Sequence, residues 1–171
     1  ILARHLKWLG SLKRRPGNSW LICAGEFSGR ERVTGLGERA PDELASLLPS
    51  KFLIDEDTII AGSSVWDALS DSSPEKLLKL ASSEFPGLKY MPEAIFRYLR
   101  QYPGLENGLS LLDEEILEIL SRGETFKPLP LFKELSDLET RPFFGDTTIW
   151  RHINGLAAQE RPLIELKGPG P

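Results

Sequence analysis

A chain of 171 residues, 40% hydrophobic and 27% charged, can build one large domain or two small ones. Its net charge of −4 argues against a general nucleic-acid binder, and its single cysteine excludes an internal disulfide. No apolar run reaches the roughly 18–20 residues of a membrane span, so the expectation is a cytoplasmic protein with no membrane partner.

The first residues, Ile1 to Arg15, fit an amphipathic helix with Ile1, Leu2, Leu6, Leu9 and Leu12 on one stripe. There is neither a start Met nor a signal-peptide pattern, and upstream residues are expected to belong to the native protein. Lys13, Arg14 and Arg15 crowd the end of this helix. They read either as a phosphate-binding patch or, with no ligand needed, as a complement to the negative pole of the helix.

Ser19 to Ala24 is a short apolar run between turn residues, the pattern of a buried strand. Helix followed by buried strand predicts an α/β N-terminal part, with further strands upstream. Cys23 within the run reads as a small buried hydrophobe rather than a nucleophile. The following loop holds Gly25, Glu26, Arg30, Arg32, Gly35 and Gly37. A glycine-rich loop after a strand can bring backbone N–H groups close to a ligand. This one matches neither a dinucleotide fingerprint nor a P-loop, so it stands as a weak ligand-binding candidate beside the plainer reading of a surface loop. No cofactor is expected. Two histidines and one cysteine, far apart in the chain, provide no metal-ligand spacing either.

Helix signals then dominate. Pro41 suits a first helical position, with Asp42 and Glu43 behind it; Asp55, Glu56 and Asp57 precede a second amphipathic stretch; Ser73 and Pro74 open a third. Pro92 to Tyr102 reads as a bridging helix with Ile95, Phe96 and Leu99 on its apolar face. The predicted organisation is therefore a helix-rich α/β fragment over 1–90, a bridge over 91–103, a mainly helical module over 104–166 and a disordered tail over 167–171.

That module is predicted as three helices and a final strand, the order of a winged-helix or helix-turn-helix domain. Ser110 with Asp113 resembles a capping box, and Leu112, Ile116, Leu117, Ile119 and Leu120 form a buried stripe. Pro130 opens the second helix. Asp146 is placed as N-cap of the third, TTIWRHINGLA, whose Ile149, Trp150, Ile153, Leu156 and Ala157 fall on one side. Thr147, Thr148, Arg151 and Asn154 lie on or near the other side, with His152 at the border; these five are the candidate nucleic-acid or partner contacts, and His152 also reads as a satisfied polar residue. If the module bound DNA, Arg151 and Asn154 would be the base-reading groups, suited to guanine and adenine. Charge opposes that reading: residues 1–90 carry 12 Lys and Arg against 12 Asp and Glu, whereas residues 91–171 carry 9 against 13.

The segments LICAGEF…GLGERAPDELASLLP, AIFRYLRQYPGLENGLSLLDEEILEIL and PFFGDTTIWRHINGLA…RPLIEL resemble a bacterial family, domain-of-unknown-function family 1835, with its C-terminal companion domain 3658. Pro103 to Ser110 and Phe144 to Trp150 are the most specific stretches. The resemblance implies an α/β N-terminal domain joined to a small helical one, with an N-terminal portion lying upstream. It carries no settled activity and hence no catalytic residue. Three functions follow as expectations. The first is a non-enzymatic regulatory or interaction protein, engaging a protein partner or a second copy of itself. The others are a DNA-binding regulator using the 147–158 helix, and an enzyme with its site at the Gly25–Gly37 loop.

Overall fold

A computed structural model describes residues 1–13, 17–23, 37, 40–123, 125–141 and 143–168. The chain divides into two units, Ile1–Leu99 and Arg100–Pro171, each with its own apolar core.

The first unit is organised by α1 (Leu2–Ser11) and α3 (Glu56–Leu69), which pack on one another. Their close approach is written into two glycines. A Cβ on Gly62 would lie 2.3 Å from Leu6 Cδ1 and 2.6 Å from Leu6 Cβ, and one on Gly10 would lie 2.9 Å from Ile59 Cγ2. Leu6 and Ile59 thus rest where the facing helix has no side chain, and Leu6 becomes fully buried. Asp55 caps α3, its carboxylate accepting from Thr58 N–H at 2.8 Å and Thr58 Oγ1 at 2.6 Å. These bonds, the hydroxyl's first, hold the Asp55 carboxyl below its ordinary range. The helix α4 (Glu75–Ala81) packs against both α3 and α5 (Met91–Leu99), adding Leu77 and Ile95 to the core. The helix expected as a bridge therefore belongs to this unit.

The expectation of an α/β N-terminal part is overturned. Across the described residues the chain forms eight α-helices and one two-stranded sheet. That sheet is β1 (Trp20–Leu21) paired antiparallel with β2 (Phe52–Leu53), Trp20 opposite Leu53 and Leu21 opposite Phe52. The short α2 (Pro41–Ala45) and a 3-10 turn (Leu48–Ser50) precede β2. The apolar run that suggested a buried strand is not covered on both faces. Leu21 and Phe52 pack on the core, while Trp20 is 49% exposed under the Lys51 ammonium, 4.8 Å from its ring centroid. Cys23 is exposed as well, which corrects the expectation of a buried thiol. The helix α1 ends at Ser11 with no basic residue in its last turn, which leaves Lys13 of the basic cluster beyond it. Arg14 and Arg15 lie outside the described residues.

In the second unit α6 (Leu111–Ser121) packs against both α7 (Pro128–Leu138) and α8 (Asp146–Ala157). Leu112, Ile116 and Ile119 of α6 meet Leu131 and Leu135 of α7 and Ile149, Ile153 and Leu156 of α8 in one buried cluster. Burying each such side chain contributes about 1.5–3 kcal/mol. The predicted α6 stripe and the predicted capping box are both present. Two starts differ from expectation: α7 begins at Pro128, and Gly145 occupies the N-cap of α8, leaving Asp146 as its first residue. The final strand is absent. Among the described residues Pro162 to Lys167 pairs with no strand, so this unit is a three-helix cluster without a wing. Its closing segment instead folds back on α8, where Leu163 N–H donates to the Leu156 carbonyl at 3.1 Å and Ile164 packs on the core. No described helix is long and apolar enough to cross a membrane.

Candidate functional site

The helix α8 presents two faces. Ile149, Ile153 and Leu156 point into the core, with Trp150 and Ala157 at its edge. Thr147, Arg151 and Asn154 are exposed on the outer side, and Thr148 is half-buried. Spacings of three and four residues put Thr147 or Thr148, Arg151 and Asn154 on successive turns of one surface. The helix wheel read from the sequence is therefore the helix that forms.

His152 behaves differently from its neighbours. Its ring is half-buried, and Nδ1 lies 2.7 Å from Asp113 Oδ1 on α6. Asp113 is also the third residue of the capping box. Ser110 Oγ donates to its Oδ2 at 2.6 Å and Ser110 N–H donates to the same oxygen at 3.1 Å, while Asp113 N–H donates to Ser110 Oγ at 3.2 Å. Burial pushes the Asp113 carboxyl upward, but the Ser110 and His152 bonds outweigh it and hold the group below the usual carboxylate range. An ionised carboxylate only accepts, so Nδ1 of His152 carries the proton.

Serine, aspartate and histidine together invite comparison with a nucleophilic triad, and the connectivity answers it. In such a triad the imidazole stands between hydroxyl and carboxylate. Here the carboxylate stands between hydroxyl and imidazole, and Ser110 is buried. The arrangement fixes a helix start and ties α8 to it; it does not activate an oxygen. His152 is a satisfied border residue.

Beside Asn154 the outer face of α8 opens into a shallow cleft of about 750 Å³. Ala157 and Ala158 line one side; Pro162, Leu163, Ile164 and Leu166 line the other, with Asn154 and Glu165 as its polar groups. Leu163 is 53% exposed and Leu166 is 54% exposed. Sequence reasoning placed this segment in a strand and so missed the cleft. The signal was present in Pro162, which follows the helix closely and cannot donate to a sheet ladder.

The glycine-rich loop contributes nothing to this site. Gly25, Glu26, Arg30, Arg32 and Gly35 lie outside the described residues, and Gly37 is exposed with open space around it. Among the described residues no three His, Cys, Asp or Glu side chains gather to hold a metal ion. In comparisons with known proteins, no family model, no curated protein and no solved structure matches this chain. The resemblance to family 1835 accordingly rests on the quoted segments alone.

Proposed function

We propose that this protein is a non-enzymatic regulatory or interaction protein, and that its three-helix unit contacts a protein partner through the outer face of α8 and the adjoining cleft. The observation that carries the reading is the cleft itself: an apolar lining flanked by half-exposed Leu163 and Leu166, with only Asn154 and Glu165 to orient what binds. The acidic balance of this half suits a protein partner better than a polyanion. The same proposal places the protein in a reducing cytoplasm, where a lone thiol persists, and within the bacterial family it resembles. The test is site-specific photo-crosslinking in cells from position 158, inside the cleft, against position 133 on the exposed side of α7. A discrete protein adduct from 158 and none from 133 is the expected result. Equal adducts from both positions, or none from 158, would remove the reading.

A second reading, duplex DNA bound by α8, has one observation in its favour: Arg151 and Asn154 are both exposed on the helix that would enter a groove. Residues 100–171 nevertheless hold 8 Lys and Arg against 12 Asp and Glu. A mobility assay over a range of salt decides between the two readings. DNA retention that falls steeply with salt and disappears in Arg151→Ala would favour this one.

A further inference from the structure

The segment that closes the cleft has a charge order that suits one particular occupant. Beyond the Leu163 N–H bond to Leu156, no backbone hydrogen bond among the described residues engages residues 164–167. Glu165 and Lys167 flank the half-exposed Leu166, and neither has an ion-pair partner among the described residues. A three-residue stretch reading acid, apolar, base is self-complementary under a twofold axis. When two copies run antiparallel about residue 166, the residue before the axis faces the residue after it on the other chain.

We propose that the cleft segment is a self-association strand: two copies of this protein pair antiparallel through residues 165–167, about a twofold axis at Leu166. Glu165 then lies opposite the partner's Lys167, Lys167 lies opposite the partner's Glu165, and the two Leu166 side chains meet at the axis. Opposite charges directly across an antiparallel pair stabilise it, and like charges destabilise it. A parallel alignment would set Glu165 against Glu165 and Lys167 against Lys167, so the charges select the antiparallel form. Pairing also gives the backbone groups of 165 and 167 partners in place of water. Pro162, which has no N–H to offer, lies outside the paired span. Leu166, 54% exposed, loses exposed surface in the same event.

This inference rests on the cleft being a protein-contact surface and names its occupant. The test is sedimentation of the full chain at concentrations up to about 1 mM. Wild type is expected to dimerise. Glu165→Lys and Lys167→Glu each place two like-charge pairs across the axis and are expected to lower the association constant roughly tenfold or more. The double reversal restores opposite charges and should return the dimer, which separates pairing from any loss of fold. In a Cys23→Ser background, Leu166→Cys should oxidise to a disulfide-linked dimer, because position 166 meets itself across the axis. A wild-type chain that stays monomeric overturns the inference, and the crosslinking from position 158 still reports independently on a different protein partner. A dimer indifferent to both single reversals overturns it too.

Discussion

His152 Nδ1–H donates to Asp113 Oδ1 across 2.7 Å, joining residues that stand 39 positions apart in the chain. Because Asp113 is simultaneously the third residue of the α6 capping box, this bond fastens the middle of α8 to the first turn of α6. The face of α8 that carries Arg151 and Asn154 therefore takes its orientation from both its buried isoleucines and a polar clasp. The clasp also gives the imidazole a structural role.

Removing either partner should cost stability in a way that the pair shares. Asp113→Ala and His152→Ala, combined in a double-mutant cycle by urea denaturation, are expected to show a coupling of about 1–2 kcal/mol. Ser110→Ala should lose about 1 kcal/mol, as N-cap substitutions do. Strict additivity of the Asp113 and His152 variants would mean that the contact does not form in solution.

The pH dependence follows from the same carboxyl. Its folded value lies below the ordinary 3.8, so the unfolded chain takes up this proton more readily. The stability it contributes is then fully present above that ordinary value and lost as pH falls through the lowered folded one. Asp55 and Asp71 are depressed as well, Asp71 chiefly by the side-chain bond from Lys76, but both lie in the first unit. Comparison with Asp113→Asn isolates the local effect. The gap in urea midpoint between wild type and this variant should be constant near neutrality and narrow below about pH 4. A gap that widened on acidification would contradict the assignment.

What could be read from the sequence divides along a physical line. Helices announce themselves locally: Ser110 and Asp113 three residues apart, the Leu112–Ile116–Ile119 spacing and the two-sided wheel of α8 all follow from one turn of chain. Strands do not, because a short apolar run becomes a sheet only if distant chain covers it. WLICA met Phe52 and Leu53 over two residues and left Trp20 outside; PLIEL met no strand and bent back on α8. The Asp113–His152 bond was hidden for the same reason, although its two halves were separately visible as a capping residue and a border residue. The cleft lay at a boundary where helix and predicted strand were read separately.

Cys23 provides a direct check on one such correction. An exposed thiol should react with a small disulfide reagent in the native protein at close to the rate seen in denaturant. One equivalent of rapid labelling without denaturant is the expected outcome. Labelling that waits for unfolding would restore the buried reading drawn from the apolar run.

Three helical glycines offer a graded test of packing, since each faces a different amount of space. Gly62→Ala places its Cβ against Leu6, including Leu6 Cβ at 2.6 Å, and a side-chain rotation cannot move that atom. With Leu6 fully buried, α1 and α3 must separate, and a loss of about 1–3 kcal/mol is expected. Gly10→Ala meets Ile59 Cγ2 at 2.9 Å, which rotation can relieve, and Ser63 Oγ at an ordinary 3.7 Å, so the gain from alanine's helix preference, about 1 kcal/mol, offsets much of the clash. Gly155→Ala on α8 meets nothing within 4 Å and should raise stability by roughly 0.5–1 kcal/mol. Thermal unfolding of the three variants should therefore rank 155 above 10 and 10 above 62. If Gly62→Ala were neutral, the α1–α3 crossing would have to be looser than the contact of Leu6 with bare backbone requires.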